Sequence, residues 1–169
     1  MAVDEKDIPF TVARAGMVRD LGSGIQLKIL HPVDPLPRGL NDCSIVARLT
    51  GAGVSFVFTG DIEAQYELEV VAREQLSAHV LKVAHHGSRS STTQEFLEAV
   101  SPEYAVIMTG KGNRYNHPHS EVLQRLKAAG INLFRTDMHG HVVMTVKDGV
   151  LSISTEYQPS EDLFAPGDK

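Results

Sequence analysis

Three short segments of this chain concentrate side chains that could bind a metal ion and assist hydrolysis. They are Thr59-Gly60-Asp61, His85-His86-Gly87-Ser88 and His117-Pro118-His119, and the chain carries eight histidines in 169 residues. Each segment lies where a strand-like run gives way to a loop or a helix, which is where ligands collect in α/β proteins. Imidazole and carboxylate groups together suit Zn²⁺ or Mn²⁺. The pattern therefore indicates a metal-dependent site built from several strand ends.

Asp61 has two possible roles. It follows the apolar run Phe56-Val57-Phe58 and precedes a predicted helix. An aspartate in this position is a good helix N-cap. A short carboxylate at a rigid strand end can also share its two oxygens between cations, so the alternative to a cap is that Asp61 is a metal ligand.

The double histidine follows the predicted strand Val80–Ala84. Alternate side chains of a strand point to opposite faces, so His85 would share a face with the core residues Leu81 and Val83, and His86 would lie on the other. We favour His85 as the metal ligand on this ground and keep His86 as a candidate. A structural histidine bonded to the backbone is the alternative for either.

His117 and His119 are candidate catalytic residues. An imidazole in this polar loop could act as a general acid or bind phosphate. Ser120 is predicted to begin a helix, and the N–H groups of a helix N-terminus favour anions. The alternative is an exposed loop that happens to contain histidines.

Strand-like and helix-like runs that alternate along the chain must position these residues. The pattern predicts an α/β (α+β) chain with a mixed β-sheet and helices on one face. Predicted strands are Pro9–Ala15, Ile25–Leu30, Ser44–Thr50, Val54–Thr59, Val80–Ala84, Tyr104–Met108, Leu133–Arg135, Val142–Val146 and Val150–Ser154. Predicted helices are Glu63–Gln75, a helix capped by Thr92 that runs through Val100, and a helix capped by Ser120 that ends at Gly130. Residues 1–156 would form the domain, and residues 157–169 a flexible tail.

Composition narrows the function classes. The net charge of −5 argues against a protein that coats nucleic acid, yet residues 79–135 carry a net charge of +3, which suits a site for an anionic substrate such as phosphate. Cys43 is the single cysteine, so no disulfide can form within the chain. The longest apolar runs are far below the roughly 20 residues that span a bilayer.

Five segments in this order resemble the C-terminal metallo-β-lactamase-like domain of the ComEC family of DNA-internalisation competence proteins. They are Asn41-Asp42-Cys43-Ser44, Thr59-Gly60-Asp61, the run from Leu81 to Ser88, His117-Pro118-His119 and Thr136-Asp137. The resemblance implies an αββα sandwich with a site for two divalent metal ions, zinc or manganese, between its sheets. It also implies that Asp61 is the bridging aspartate and that one histidine of the His85-His86 pair is a late metal ligand.

The chain departs from the family pattern in one respect. Family members that bind two metals carry a His-x-His-x-Asp-His motif near the start of the domain, and no histidine precedes His31 here. We therefore expect only half of the sandwich, a weak or absent metal site, no activity of this chain alone, and an apolar sheet face that drives homodimer formation.

The resemblance implies a function in DNA uptake. We expect a soluble domain of a polytopic bacterial membrane protein, with single-stranded DNA and the rest of that protein as partners. Phosphodiester hydrolysis of DNA during import is the preferred activity. A non-catalytic DNA-binding or channel-gating module and a small-molecule phosphodiesterase are the alternatives.

Overall fold

The computed structural model describes residue 6 and residues 8–166. Residues 1–5 and 7 of the predicted domain 1–156 lie outside the described residues, as do residues 167–169 of the predicted tail. Within the described part of that tail, Leu163 and Phe164 pack against the hydrophobic core.

The described residues form nine strands, four α-helices and two short 3₁₀ turns. Strands β1 to β9 span Val18–Gly22, Ile25–His31, Val46–Gly51, Val54–Phe58, Val80–Lys82, Tyr104–Ile107, Asn132–Arg135, Val142–Lys147 and Val150–Thr155. Helices α1 to α4 span Ala64–Arg73, Gln94–Val100, Ser120–Ala128 and Thr136–His139. The 3₁₀ turns span Asn41–Cys43 and Ala84–Gly87.

Strands β1 to β7 form one mixed sheet in which the strand order follows the sequence order. The strands β1 to β4 pair antiparallel with their neighbours, and β4 to β7 pair parallel. Because parallel strands all end at the same edge, the segments that follow β4, β5, β6 and β7 meet there. This topology brings Asp61, the double histidine and the His117 loop together, and the predicted mixed α/β fold is confirmed.

One face of the sheet carries the hydrophobic core. Val57, Leu81, Ala105 and Leu133 lie side by side across the parallel strands and are buried. The helices α1, α2 and α3 all contribute apolar side chains to the same cluster, among them Val70, Phe96, Leu97, Val122, Leu123 and Leu126. The long helices therefore cover this face, as the amphipathic periodicity of their sequences predicts.

The β8–β9 hairpin forms a separate two-stranded sheet. The hairpin begins after α4, and its tip at Gly149 lies close to Ala52 in the β3–β4 turn. On the face of the seven-stranded sheet opposite the helices, Phe58 and Met108 are 41% and 49% exposed at the strand ends near the histidines.

Some predicted boundaries are wrong, for identifiable reasons. The strand expected at Pro9–Ala15 lies at Val18–Gly22, because the tight turn after Gly22 pairs the residues just before it with β2. The strand β5 ends at Lys82 rather than Ala84.

Two predicted helix caps are also wrong. Thr93, not Thr92, caps α2, and its side chain accepts a hydrogen bond from Phe96 N. His119, not Ser120, occupies the N-cap position of α3 and makes no side-chain cap bond. In both cases the N-cap lies one residue away from the predicted one. The sequence alone does not resolve a difference of one position.

Candidate metal centre

The Gly60-Asp61 turn is held in place by neighbours on both sides. Ser44 Oγ accepts a hydrogen bond from Asp61 N at 3.0 Å, and Lys82 Nζ donates to Gly60 O at 3.2 Å. Thr59 Oγ1 donates to Lys82 O at 2.7 Å. Gly60 has φ +56, and a Cβ at this position would come within 2.9 Å of Ser44 Cβ. The turn is therefore both fixed and restricted to glycine.

Asp61 is not a helix cap. The helix α1 begins at Ala64, and its N-cap residue is Glu63. The Asp61 carboxylate is 38% exposed and faces the double histidine. The N-cap interpretation is thus wrong, which leaves this side chain free to serve as a ligand.

The double histidine forms a strained turn. His85 has φ 47 and His86 has φ 56, and Gly87 follows with φ +84. Consecutive non-glycine residues in the left-handed region cost free energy, and such strain concentrates at functional sites. Because β5 already ends at Lys82, the strand alternation that favoured His85 over His86 does not apply to either residue.

His86 is oriented for ligation. Its Nδ1 donates to Met108 O at 2.6 Å, so in the neutral ring Nε2 carries a lone pair. Nε2 lies 3.5 Å from Asp61 Oδ1. An unprotonated ring nitrogen and a carboxylate oxygen this close repel each other, and a cation between them, either a proton or a metal ion, would relieve that repulsion. Two ligands of one tetrahedral Zn²⁺ at about 2.1 Å would lie roughly 3.4 Å apart, so the spacing fits a shared ion.

The His85 side chain lies beside this pair. Its Nδ1 is buried and makes no hydrogen bond, and it lies 3.9 Å from Glu63 Oε1. Among the described residues, no three His, Cys, Asp or Glu side chains converge on one ion position. Asp61 and His86 therefore fit as two ligands of a divalent ion and do not complete its coordination.

The His117 loop packs directly against the double histidine. Asn113 holds the loop at both backbone atoms of His117: its Oδ1 accepts from His117 N at 3.0 Å and its Nδ2 donates to His117 O at 2.7 Å. The His117 ring centroid lies 5.8 Å from that of His85 and 4.8 Å from that of His119. The predicted site residues of the three segments are thus brought together.

The environment of His117 keeps its ring neutral. Burial, followed by the neighbouring His119 and His85, lowers the pKa of His117 to about 4. At neutral pH the ring is therefore uncharged, which suits a lone-pair donor or a proton acceptor better than the general acid expected from the sequence.

His119 is fixed by the backbone. Its Nδ1 accepts a hydrogen bond from Arg89 N at 3.1 Å, so the neutral ring carries its proton on Nε2. Burial and the nearby Arg89 lower the pKa of His119. The ring is thus held as an Nε2–H donor.

The imidazoles of His86 and His117 line an open cleft. A cavity of about 440 Å³ is bounded by His86, His117, Met108 and Tyr115, among others. A second cavity of about 260 Å³ continues from Gly110, Asn113 and His117, which line both, towards Lys111. This size is sufficient for a small organic group.

Several residues that position the site have no obvious chemical signal in the sequence. Ser44 and Lys82 hold the aspartate turn, and Asn113 holds the His117 loop. Ser44 is the last residue of the Asn41-Asp42-Cys43-Ser44 segment, which is one of the five segments that carry the family resemblance. Asn113 lies in a glycine-rich stretch that gave no reason to single it out.

Comparison with known proteins assigns the family. The family model described as "Metallo-beta-lactamase superfamily" matches residues 5–111. The chain is 36% identical over 163 residues to "ComE operon protein 3" of Bacillus subtilis, with 95% of this chain and 21% of the relative covered. It is 39% identical to "Competence protein ComA" of Neisseria gonorrhoeae, with 69% of this chain and 17% of the relative covered. It is 34% identical to "Recombination protein 2" of Haemophilus influenzae, with 70% and 15% covered.

The resemblance predicted from the sequence is confirmed by these relatives. The chain spans about a fifth or less of their length. No helix among the described residues is both long and apolar enough to cross a membrane. With the sheet, the site geometry and these matches taken together, the chain belongs to the metallo-β-lactamase superfamily.

Proposed function

We propose that this chain supplies part of the metal site of a hydrolase domain that cleaves phosphodiester bonds of DNA during uptake. Asp61 and His86 hold the ion, and His85 is a further candidate ligand beside them. His117 lines the cleft where a phosphate would lie, and the His119 ring lies next to His117, 4.8 Å between ring centroids. The whole domain would belong to a membrane protein of the competence type.

The observation that carries this proposal is the pairing of Asp61 with His86. His86 Nε2 and Asp61 Oδ1 lie 3.5 Å apart, and the hydrogen bond to the Met108 carbonyl leaves the lone pair of the neutral His86 ring on Nε2. Such a backbone hydrogen bond to the second ring nitrogen is the usual way in which a metal-binding histidine is oriented.

The residues around this pair have separate roles. A bound divalent ion lowers the pKa of water and so supplies a nucleophile near neutral pH. Asp61 and His86 position that ion, and the neutral His117 ring accepts a proton or a hydrogen bond. The Nε2–H of His119 donates to a phosphate oxygen next to the N-terminus of α3, whose N–H groups favour an anion.

DNA is the preferred substrate for two reasons. One relative carries the name of a competence protein, and Lys111 and Arg114 place positive charge in the loop beside the cleft. Both observations favour a substrate with several phosphates over a small neutral one.

Two kinds of protein partner follow from this proposal. The first is the remainder of the competence-type membrane protein. The second is another copy of this chain, because Phe58 and Met108 expose apolar surface on the sheet face that the helices leave open.

The test uses an intact domain in which this chain is joined to an upstream segment that carries a His-x-His-x-Asp-His motif. Bound metal is measured by elemental analysis, and cleavage of a labelled single-stranded oligonucleotide is followed with Mn²⁺. We expect Asp61→Ala and His86→Ala to abolish cleavage and to lower the metal content.

A matched control is His141→Ala, because the His141 side chain is 89% exposed and lies outside the residues that line the cleft. Full activity of this variant is expected. Binding of DNA without cleavage in any metal would contradict the hydrolase proposal and favour a non-catalytic module.

A further inference from the structure

Tyr115 presents an aromatic surface at the mouth of the cleft. Its side chain is 56% exposed although it lines the same cavity as His86 and His117. An exposed tyrosine ring offers a large apolar surface with a polar tip, which suits it to contact a ligand.

The orientation of this ring is set by its neighbours. It stacks on the His117 ring at 5.7 Å between centroids and 25° between planes, and His117 stacks in turn on His86 at 6.4 Å and 21°. His117 is therefore the middle ring of the series, and Tyr115 is the end of the stack that lies away from His86. A flat group added to this stack would lie one ring away from His117.

Positive charge accompanies the aromatic surface. The Arg114 guanidinium lies over the Tyr115 ring, 4.8 Å from its centre, and it also donates to Tyr115 Oη. A base that stacks on this face of the ring would take the place of the guanidinium, which would then be free to bind a phosphate. Lys111 lines the adjoining cavity. Aromatic rings interleaved with cations are the arrangement by which proteins hold single-stranded nucleic acids without reading their sequence.

We propose that Tyr115 is a stacking platform for the nucleobase next to the phosphate that enters the cleft, with Arg114 and Lys111 binding the adjoining phosphates. The ligand is a single-stranded nucleic acid, since the bases of a duplex are already stacked on each other. This inference rests on the proposed function, because it names how that same site holds its substrate.

The test measures binding of the 169-residue chain to a fluorescein-labelled dT12 oligonucleotide by fluorescence anisotropy at low ionic strength. The same measurement uses an abasic oligonucleotide of equal length. We expect Tyr115→Leu to weaken dT12 binding about 10-fold or more, while Tyr115→Trp retains it. The abasic oligonucleotide should bind the wild-type chain and the Leu variant equally.

Tyr157→Leu is the matched control, because Tyr157 is similarly exposed at 58% and does not line the cleft. It should leave dT12 binding unchanged, and circular dichroism melts verify that each variant is folded. The inference is overturned if the wild-type chain does not bind dT12 or if Tyr115→Leu leaves dT12 binding unchanged. It is also overturned if this variant weakens binding of the abasic oligonucleotide as much as binding of dT12.

The two proposals fail separately. If the intact domain binds metal but cleaves nothing while dT12 binding still depends on Tyr115, the hydrolase proposal is wrong and the stacking platform stands. If cleavage depends on Asp61 and His86 while Tyr115→Leu binds and cleaves as the wild type does, the stacking platform is wrong.

Discussion

At the residue scale, the site depends on how closely the two histidine segments approach. Gly87 is the point of contact: a Cβ there would lie 2.6 Å from Pro118 Cβ, and Gly87 O accepts a hydrogen bond from His119 N at 2.9 Å. The positive φ of Gly87 adds a second reason for glycine. The His117 loop can therefore pack on the double histidine only because Gly87 has no side chain.

We predict that Gly87→Ala lowers the free energy of unfolding by about 3 kcal/mol, from backbone strain together with the clash against Pro118. Gly16→Ala is the control, since Gly16 has nearly the same φ, +87, and open space around it. It should cost only about 1 kcal/mol. Urea denaturation measures the free energy of unfolding of both variants. Equal losses in the two would show that the contact with Pro118 does not contribute to the destabilisation.

The residue types of the site were predictable from the sequence, but their geometry was not. Asp61, His85, His86, His117 and His119 all lie near one another, as strand-end reasoning predicts. The orientation of the double histidine was missed because a left-handed conformation at two non-glycine residues has no local sequence signal. The carbonyl of Met108 that orients His86 is a backbone group, so no residue type points to it.

At the element scale, the buried Glu67 joins two helices beneath the site. Glu67 lies in α1 and is fully buried. Its carboxylate accepts hydrogen bonds from Thr92 N at 2.6 Å and Thr93 N at 2.8 Å, at the start of α2. It thereby satisfies N–H groups that would otherwise lack a partner at that helix terminus. This link keeps the segment after the double histidine in place.

We predict a pH-dependent stability contribution from this residue. Burial raises the pKa of the Glu67 carboxyl above its ordinary value, so the folded state holds the proton more tightly than the unfolded state does. The contribution is fully present below the unfolded pKa and is lost as pH rises through the folded one. Glu67→Gln removes the titration, so the stability advantage of the wild type over this variant should shrink from pH 4 upward. Urea unfolding at a series of pH values measures it, and a constant difference would contradict the prediction.

The elements themselves were largely predictable. Apolar periodicity located α1 and α3, and β-branched runs located the strands of the mixed sheet. Errors occurred where an element depends on its partner: the edge strand β1 is fixed by pairing with β2, and the caps of α2 and α3 differ by one residue. Local sequence preference does not resolve such differences, because tertiary contacts decide them.

At the scale of the whole molecule, the helix-free face of the sheet is the surface through which we expect self-association. Phe58 is exposed on this face beside the stacked ring of Phe56. An exposed apolar patch on a small domain favours self-association.

We predict that the purified chain forms a dimer by light scattering and that Phe58→Asp shifts it towards the monomer. Leu68→Asp is the control, because Leu68 is similarly exposed at 45% but lies on α1, away from this face. A wild-type chain that is monomeric at high concentration would contradict the prediction, as would equal effects of the two substitutions.

The claim on which the account rests is that Asp61 and His86 share one cation. The most direct measurement is a titration of the ¹⁵N-labelled chain with Mn²⁺, whose unpaired electrons broaden the NMR signals of nearby nuclei. We predict selective broadening at Asp61, His86 and their neighbours, abolished by Asp61→Ala. Broadening confined to other acidic residues, or unchanged in Asp61→Ala, would contradict the claim.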